Sequence, residues 1–372
     1  MSKLISQGGY GCIYHPGFDP KDNSVLNKDT VVKLQHKNAV SQNEIQVSKL
    51  IMSIPNFSFY FAPILKTEPI EIGEIDKKLI KSCKPVTRNI EREFVLMTIP
   101  YIDQENYFES IENIDLNDTR SVFSQYIDSY TFLLTSIEIL IQNKIIHFDL
   151  KDGNIVYSRI NKNPILIDFG ISFSVDKLSE KTWGKVFYVF APEYYIWCLE
   201  IHFIAFLINE KDILEEQDVE MICTDYVNSC PVYNFFSPEF KDRYIKSAIK
   251  HYMQYVEVEK TKIILSLLET WDTWDNYSLS ILNLRVISYL FSNQYYKNNT
   301  ISYLIEIYLQ NIHYDGRQRL SIEETKRKYK KIYNQDSNID NLSYLLEYIK
   351  PERKVIKKRI KDEKLVRSSI VN

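Results

Sequence analysis

The chain contains 372 residues with a formal net charge of −3, and 45% of its residues are hydrophobic and 26% charged. These proportions are ordinary for a soluble globular protein, and so small a net charge gives no general attraction to nucleic acid. The five cysteines are odd in number and include no Cys-x-x-Cys pair. They therefore predict neither a disulfide framework nor a zinc site, and they favour a reducing, intracellular and cytoplasmic location.

The sequence offers no clear segment for entering or crossing a membrane. Its first residues lack the apolar core of a signal peptide. The most apolar run, residues 194–209, includes Glu200 and His202 and is shorter than a membrane span. We therefore expect no signal peptide, no membrane partner and a buried core helix in this run.

Glycines mark the first element of the chain. Gly8, Gly9 and Gly11 lie within the segment that ends at Ile13. Glycine carries no side chain, so the backbone of a hairpin can close over phosphate groups at such positions. An ordinary hairpin turn is the alternative for this segment.

A strand and a helix follow the glycines. The run from Thr30 to Leu34 is rich in β-branched residues, which predicts a strand that carries Lys33. A lysine on such a strand usually extends toward solvent. The next helix has a capping candidate at Ser41 and contains Glu44, whose alternative role is to complement the helix dipole.

Two further strands are predicted at residues 57–66 and 93–102. Between them, residues 68–92 mix charges with prolines and a glycine, which indicates an irregular insertion. Met97 lies in the second of these strands. A lone methionine there is either a core residue or part of a binding pocket.

A long helix leads into the most polar stretch. Apolar residues recur at helical spacing over 119–143, and Asp149, Lys151 and Asn154 follow within a few residues of its end. A buried strand then ends at Asp168. Phosphoryl transfer from Mg-ATP requires one carboxylate for the hydroxyl proton, together with an amide and a second acid for metal ions. The alternative is that these are turn and cap residues.

The motif His-x-Asp-Leu-Lys-x-x-Asn followed by Asp-Phe-Gly resembles the signature of eukaryotic-type serine/threonine protein kinases. The resemblance extends over about residues 5–335. It implies an α+β, bilobal protein kinase fold with ATP bound between the lobes. A small β-rich N-lobe would comprise residues 1–103, a larger, mainly helical C-lobe 104–335 and a basic C-terminal tail 336–372.

The resemblance also implies a role for each candidate residue. Asp149 would be the catalytic base, and Lys151 would steady the γ-phosphate, as in serine/threonine kinases. Asn154 and Asp168 would hold Mg²⁺. The residues that bind ATP would be Gly8, Gly9, Gly11, Ile13, Lys33, Glu44 and Met97, with Glu44 as the carboxylate partner that orients Lys33.

Later segments extend the resemblance and also depart from it. Ala191-Pro-Glu193 matches the family's Ala-Pro-Glu, which implies a buried ion pair between Glu193 and Arg319. Tyr195 stands where the family has the aspartate that anchors the catalytic loop, within Asp-x-Trp-Ser-Leu-Gly. Gly184 and Lys185 stand near the usual Gly-Thr pair, so substrate docking is expected to be unusual.

Phe148 replaces the arginine of the family's His-Arg-Asp motif. Phenylalanine cannot pair with a phosphate, so we expect Phe148 to pack in the core. We also expect segment 171–190 to be ordered without phosphorylation, although it contains serine, threonine and tyrosine acceptors.

Other classes stay open at this point. A pseudokinase or scaffold would lack a catalytic group, yet Lys33, Asp149, Asn154 and Asp168 are all present. A small-molecule kinase generally lacks Ala-Pro-Glu and the late arginine. The Ile- and Asn-rich composition resembles kinases of large DNA viruses, which implies the host cytoplasm or the virion. The expected partner is a protein substrate, and the basic tail is either a solvated end or a site for nucleic acid or acidic partners.

Overall fold

The computed structural model describes residues 2–8, 11–20, 24–25, 28–75, 77–88, 91–106, 119–290 and 299–333. These residues form two compact units. The first contains the described residues up to 106 together with 153–172, and the second contains 119–152 and 173–333. The first unit holds an antiparallel sheet and the second is mostly helical, so the α+β class is confirmed. The kinase fold and the lobe boundaries stay predictions, and the basic tail lies outside the described residues.

An antiparallel sheet of five strands, in the order β1-β2-β3-β5-β4, forms the body of the first unit. The predicted strand at Thr30 is longer than its β-branched core, because it pairs along its whole length with the fifth strand. The strands are β1 (Lys3–Gln7), β2 (Gly11–His15), β3 (Thr30–His36), β4 (Lys66–Ile70) and β5 (Phe94–Pro100).

One of the two strand predictions that flank the insertion was wrong. Strand β5 confirms the prediction for 93–102, but residues 57–59 form a single 3₁₀ turn and β4 begins only at Lys66. Asn56 has a φ of 58°, a left-handed conformation that an extended strand does not contain. Aromatic and β-branched content alone could not reveal this turn.

The two faces of the sheet have different neighbours because strand side chains alternate. Cys12 and Tyr14 of β2 and Val32 and Leu34 of β3 are completely buried on one face. That face is covered by residues 71–75 and 77–88, where the predicted irregular insertion contains two short helices. These are α2 (Lys77–Lys81) and α3 (Lys84–Thr87), which contribute Ile80 and Val86 to the same core.

A disulfide joins the sheet to this insertion, so the prediction that the cysteines form none was wrong. Cys12 and Cys83 are bonded with an S–S distance of 2.00 Å and a Cα–Cα distance of 5.9 Å. The two positions are 71 residues apart, and only the folding of the insertion across the sheet brings them together. The inference of a reducing location loses its support from the cysteines. No helix in the described part of the chain is long and apolar enough to cross a membrane.

Helix α1 (Ala39–Met52) begins at a capping box, one turn earlier than expected. The N-cap is Asn38, whose Oδ1 accepts from the backbone N of Ser41 at 2.9 Å. The hydroxyl of Ser41 in return accepts from the backbone N of Asn38 at 2.9 Å. This exchange satisfies two backbone donors that a helix start leaves unpaired, and it fixes where the helix departs from β3.

A second, three-stranded sheet completes the first unit. Its strands are β6 (Gln104–Asn106), β8 (Ile155–Ser158) and β9 (Asn163–Leu166), in the order β6-β8-β9. Strands β8 and β9 form an antiparallel hairpin in which Ile155 lies opposite Leu166. The hairpin therefore brings the residues just before β8 next to those just after β9.

The second unit is built around the predicted long helix, α4 (Thr119–Gln142), whose buried stripe includes Ile127, Leu134 and Ile137. Two very short strands, β7 (Ile145–Ile146) and β10 (Phe173–Ser174), pair with each other. The remaining helices, close to the predicted runs where these were given, are α5 (Glu180–Val186), α6 (Leu199–Asn209), α7 (Glu216–Ser229), α8 (Pro238–Tyr252), α9 (Lys260–Leu268), α10 (Trp274–Leu290), α11 (Asn299–Asn311) and α12 (Ile322–Tyr333).

Arg319 pairs with Glu200 of α6, so the predicted pair of Arg319 with Glu193 was wrong. The Nη2 of Arg319 lies 2.7 Å from Oε2 of Glu200, and their side chains are only 1% and 3% exposed. Glu193 is exposed. Gly316 permits this approach, since a Cβ there would lie 2.6 Å from Oε1 of Glu200. The Ala-Pro-Glu match identified an acid in the right region, but seven residues away from the buried one.

We predict that Glu200→Gln destabilises the protein by about 3–5 kcal/mol, because it leaves the Arg319 cation buried without its carboxylate. The matched control, Glu193→Gln, should change the free energy of unfolding by less than about 0.5 kcal/mol because Glu193 is exposed. Urea unfolding of both variants measures the difference. Equal destabilisation by the two changes would contradict this assignment.

His202, also on α6, is fully buried beside the rings of Trp197 and Tyr226. Burial lowers the pKa of His202 to about 3, whereas an unfolded histidine titrates near about 6.5. Since the folded-state pKa is the lower one, the unfolded chain binds the proton first. The contribution of His202 to stability is therefore complete above pH about 6.5 and declines as the pH falls toward 3.

We predict that His202→Leu flattens part of this pH dependence. Between pH 6.5 and pH 5 the wild type should lose about 2 kcal/mol through His202, at about 1.4 kcal/mol per pH unit, and the variant should not. The measurement is urea unfolding of both proteins at the two pH values. The other titrating groups are common to both and cancel in the comparison, so identical pH slopes would refute the prediction.

Candidate functional site

Three candidate ATP-binding residues lie in one row across the sheet of the first unit. Ile13 of β2 lies opposite Lys33 of β3, which in turn lies opposite Met97 of β5. Residues directly opposite in antiparallel strands share a face of the sheet. This face is the reverse of the one covered by the insertion. Met97 is fully buried and packs with Ile64, so its core role is shown and any contact with a ligand stays a prediction.

Lys33 lies between two carboxylates in the first unit. Its Nζ donates to Oε2 of Glu44 at 2.9 Å and to Oε1 at 3.0 Å, and it lies 3.6 Å from Oδ1 of Asp168. The side chain of Glu44 is 3% exposed, whereas that of Asp168 is 48% exposed. The family resemblance implied that Lys33 and Glu44 are partners although only 11 residues separate them, and the early start of α1 brings them together.

The electrostatics of this group keep Lys33 charged. Burial alone would lower the pKa of Lys33, but the adjacent carboxylates of Glu44 and Asp168 raise it above its usual value. Burial raises the pKa of Glu44, and the Lys33 cation opposes that rise. Removal of either partner would leave a buried charge without compensation, which is more costly than the pair itself.

The β8–β9 hairpin places Asn154 beside the chain that carries Asp168. The backbone carbonyl of Asn154 accepts from the backbone N of Ile167 at 3.0 Å. Asn154 is buried, and Asp168 has a φ of 62°. Such a left-handed conformation is uncommon for a residue other than glycine and often marks a functional position.

An amide and a half-exposed carboxylate at this point fit a hard cation such as Mg²⁺. This ion takes oxygen ligands, typically one or two carboxylates, and keeps several waters. No cluster of three or more histidine, cysteine, aspartate or glutamate side chains suited to a metal occurs in the described part of the chain.

Helix α1 also holds the backbone that follows Asp168. The amide nitrogen of Asn43 donates to the carbonyl of Gly170 at 3.1 Å and to that of Ser172 at 2.7 Å. At Gly170 a Cβ would lie 3.3 Å from Oδ1 of Asp168, tighter than ordinary contact, so a glycine there accommodates the carboxylate. The sequence carries no signal for Asn43 beyond its position next to Glu44.

The structure explains the glycine at position 11 by packing and leaves the predicted phosphate role of the glycine segment untested. Gly8 donates from its backbone N to the carbonyl of Gly11 at 3.0 Å, which fits a turn between β1 and β2. A Cβ at Gly11 would lie 2.2 Å from the carbonyl oxygen of Leu34, so packing against β3 is enough to require glycine at position 11. Gly9 lies outside the described residues, and a phosphate role for the segment stays a prediction.

Asp149 and Lys151 are joined in the second unit. The Nζ of Lys151 donates to Oδ2 of Asp149 at 2.9 Å. The hydroxyl of Tyr194 donates to the other oxygen of Asp149, Oδ1. Asp149 is 8% exposed, so most of its carboxylate surface is already in contact with protein. Tyr194 was not among the candidate residues, although it directly follows Glu193 in the sequence.

Phe148 packs in an aromatic core of the second unit, as expected from its replacement of arginine. Its side chain is 2% exposed and lies against the rings of Phe173, Phe187, Trp197 and Trp274. The backbone of Phe148 has a φ of 67°, which a buried aromatic residue adopts only when its surroundings enforce it. The residue before Asp149 is therefore tightly constrained.

Asp275 supplies the anchor that the sequence analysis assigned to the position of Tyr195, so that alignment was wrong. Its Oδ2 accepts from the backbone N of His147 at 2.7 Å, and its Oδ1 accepts from the backbone N of Phe148 at 3.0 Å. Asp275 is 4% exposed. Burial raises the pKa of Asp275, and His147 and the two backbone donors oppose this rise.

The sequence did contain a signal for this anchor. Asp275-Asn-Tyr277-Ser-Leu279 has the order acid, any residue, aromatic, serine and leucine, which matches Asp-x-Trp-Ser-Leu more closely than the segment around Trp197. This segment lies 82 residues after Glu193, since 275 − 193 = 82, whereas the segment around Trp197 follows Glu193 directly. Helices α6 to α9 occupy most of this interval.

A comparison with models of protein families gives no match, and neither does a comparison with curated proteins. The functional interpretation therefore depends on the residues and the geometry described above.

We predict that Asp275→Asn destabilises the protein by about 2–3 kcal/mol. The amide has one acceptor oxygen, so it leaves one of the two buried backbone N–H groups without a partner. Asp272→Asn is the control, because Asp272 is exposed on the preceding turn and should change stability by less than about 0.5 kcal/mol. Hydrogen exchange at the amides of His147 and Phe148 should accelerate only in Asp275→Asn. Unchanged exchange at both amides would be inconsistent with the anchor.

Proposed function

We propose that this chain is a protein kinase that transfers the γ-phosphate of Mg-ATP to serine or threonine hydroxyls of protein substrates. The observation that carries the proposal is the position of Lys33, a charged lysine held by the buried Glu44 and 3.6 Å from the half-exposed Asp168. A cation fixed by one acid beside a second, accessible acid suits an ATP phosphate and its metal ion.

In the first unit, Lys33 would bind the phosphates, and Glu44 would hold Lys33 in place. Asp168 and Asn154 would hold Mg²⁺, which neutralises charge on the phosphate oxygens when it is bound. Ile13 and Met97 share the sheet face of Lys33 and would offer apolar surface to the base. Asn43 would keep Asp168 in position through its bonds to the backbone of Gly170 and Ser172.

In the second unit, Asp149 would accept the proton of the substrate hydroxyl, and Lys151 would steady the transferred phosphate. The carboxylate is oriented by bonds from Lys151 and Tyr194 and lies next to backbone that Asp275 fixes. A base whose geometry is fixed before the substrate arrives contributes more to the rate than a mobile one. The preference for serine and threonine rests on Lys151, two residues after Asp149.

The sequence now distinguishes protein kinases from small-molecule kinases less clearly, because one of the distinguishing features was wrong. The pairing of Glu193 with Arg319, which distinguished protein kinases from small-molecule kinases, is replaced by Glu200 with Arg319. The presence of all five candidate residues still argues against a pseudokinase. These are Lys33, Glu44, Asp149, Asn154 and Asp168. The decisive experiment must therefore include both peptide and small-molecule acceptors.

We predict that the purified chain transfers label from γ-labelled ATP to a peptide library in the presence of Mg²⁺, and that phosphoamino-acid analysis gives phosphoserine or phosphothreonine. Asp149→Asn removes the proposed base and should lower kcat by about 10²–10⁴-fold. Asp168→Ala should abolish turnover at every Mg²⁺ concentration. Asp176→Asn, an exposed aspartate of the same unit as Asp149, is the control and should retain full activity.

Three outcomes would refute parts of this proposal. Equal rates for wild type and Asp149→Asn would remove Asp149 from the chemistry. Recovery of Asp168→Ala at high Mg²⁺ would argue against a direct ligand role for that residue. Label on aminoglycosides or choline but on no peptide would assign the chain to the small-molecule kinases, and no label on any acceptor would favour the pseudokinase.

A further inference from the structure

A tyrosine outside the predicted site completes a closed polar group around Asp149. The hydroxyl of Tyr194 donates to Oδ1 of Asp149, and Nζ of Lys151 donates to Oδ2 at 2.9 Å. The same Nζ lies 3.4 Å from the hydroxyl oxygen of Tyr194 and 5.8 Å from the centre of its ring. Each of the three side chains therefore contacts the other two.

Contacts of both the backbone and the ring hold Tyr194 in this position. Its backbone N donates to the carbonyl of Ala191 at 2.9 Å, and its ring packs edge-on against Trp197 with 4.9 Å between the centroids. The indole nitrogen of Trp197 in turn donates to the carbonyl of Phe148 at 2.8 Å. Trp197 therefore connects Tyr194 to Phe148, the residue that directly precedes Asp149.

The phenol stays protonated in this environment. Burial, followed by the nearby negative charge of Asp149, raises the pKa of Tyr194 well above its ordinary value. A protonated phenol can offer its proton to a carboxylate, so the contact is a donor to an anion, which is stronger than a bond between neutral groups. Tyr194 and Lys151 therefore each hold a different oxygen of the Asp149 carboxylate.

We propose that Tyr194 is a positioning residue for the phosphotransfer, acting with Lys151 to fix the orientation of the Asp149 carboxylate. This inference rests on the proposed function and adds to it a residue that the motif pattern does not contain. The hydroxyl of Tyr194 takes no part in bond making. It keeps the Asp149 carboxylate in the rotamer in which it can receive the proton of a serine or threonine.

The test is Tyr194→Phe, which removes the hydroxyl and keeps the ring that packs on Trp197. We expect kcat for peptide phosphorylation to fall about 10- to 100-fold, as for loss of one hydrogen bond to a charged group. KM for ATP and for peptide should change by less than about threefold, since Tyr194 contacts Asp149 rather than the substrates. The matched control is Tyr188→Phe, whose side chain is 48% exposed in the same segment, and its kcat should stay within about twofold.

A double-mutant cycle shows whether Tyr194 acts through Asp149. If it does, adding Tyr194→Phe to Asp149→Asn should change the remaining rate by less than about twofold, because the carboxylate is already absent. A further tenfold fall in that background would overturn the proposal, as would an unchanged or increased kcat in Tyr194→Phe alone. Circular dichroism and the thermal midpoint of each variant separate loss of folding from loss of positioning.

The outcomes also separate this inference from the proposed function. If Asp149→Asn is inactive while Tyr194→Phe matches the wild type, the kinase assignment stands and the role of Tyr194 is refuted. If the wild type labels no acceptor, the proposed function fails and the positioning role fails with it. A fall in thermal midpoint of Tyr194→Phe in parallel with its activity would assign Tyr194 to the core instead, and would also refute the positioning role.

Discussion

The ion pair between Lys33 and Glu44 is the interaction on which the arrangement of the first unit depends. A buried ammonium group must have a carboxylate partner, and a buried carboxylate must have a cation, so neither residue is tolerated in the interior alone. Their contact fixes the distance between strand β3 and helix α1. The same helix then holds the Gly170–Ser172 backbone through Asn43. Asp168 is therefore placed by an element more than a hundred residues earlier in the chain.

The second unit is ordered by a different kind of interaction. There the backbone before Asp149 is fixed by the carboxylate of Asp275 and by aromatic packing around Phe148, rather than by a charged pair. A phosphate-binding arginine at position 148 would put a charge into that aromatic core. Phenylalanine instead adds apolar contact with the rings of Phe173, Phe187, Trp197 and Trp274.

Sequence alone predicted those features that depend on neighbours in the chain. The long helix α4 and strands β3 and β5 follow from local pattern. The pairing of Lys33 with Glu44 was implied by the family resemblance, although their spacing of 11 residues is short. The predictions that were wrong or absent concern contacts between segments far apart in the chain. The acid that faces Arg319, the aspartate that anchors His147 and the disulfide from Cys12 to Cys83 depend on how segments seventy or more residues apart meet. A motif match of a few letters cannot distinguish Glu193 from Glu200, because only burial separates them.

The register of Ile13, Lys33 and Met97 limits how the gene for this protein can change. Strand residues alternate between the two faces of the sheet, so the deletion of one codon within β2, β3 or β5 exchanges the faces for the rest of that strand. In β3 such a change would point the ammonium group into the core that holds Cys12 and Leu34, and a leucine or valine toward Glu44. Insertions and deletions in this unit are therefore expected to accumulate between the strands, while the strands keep a fixed length.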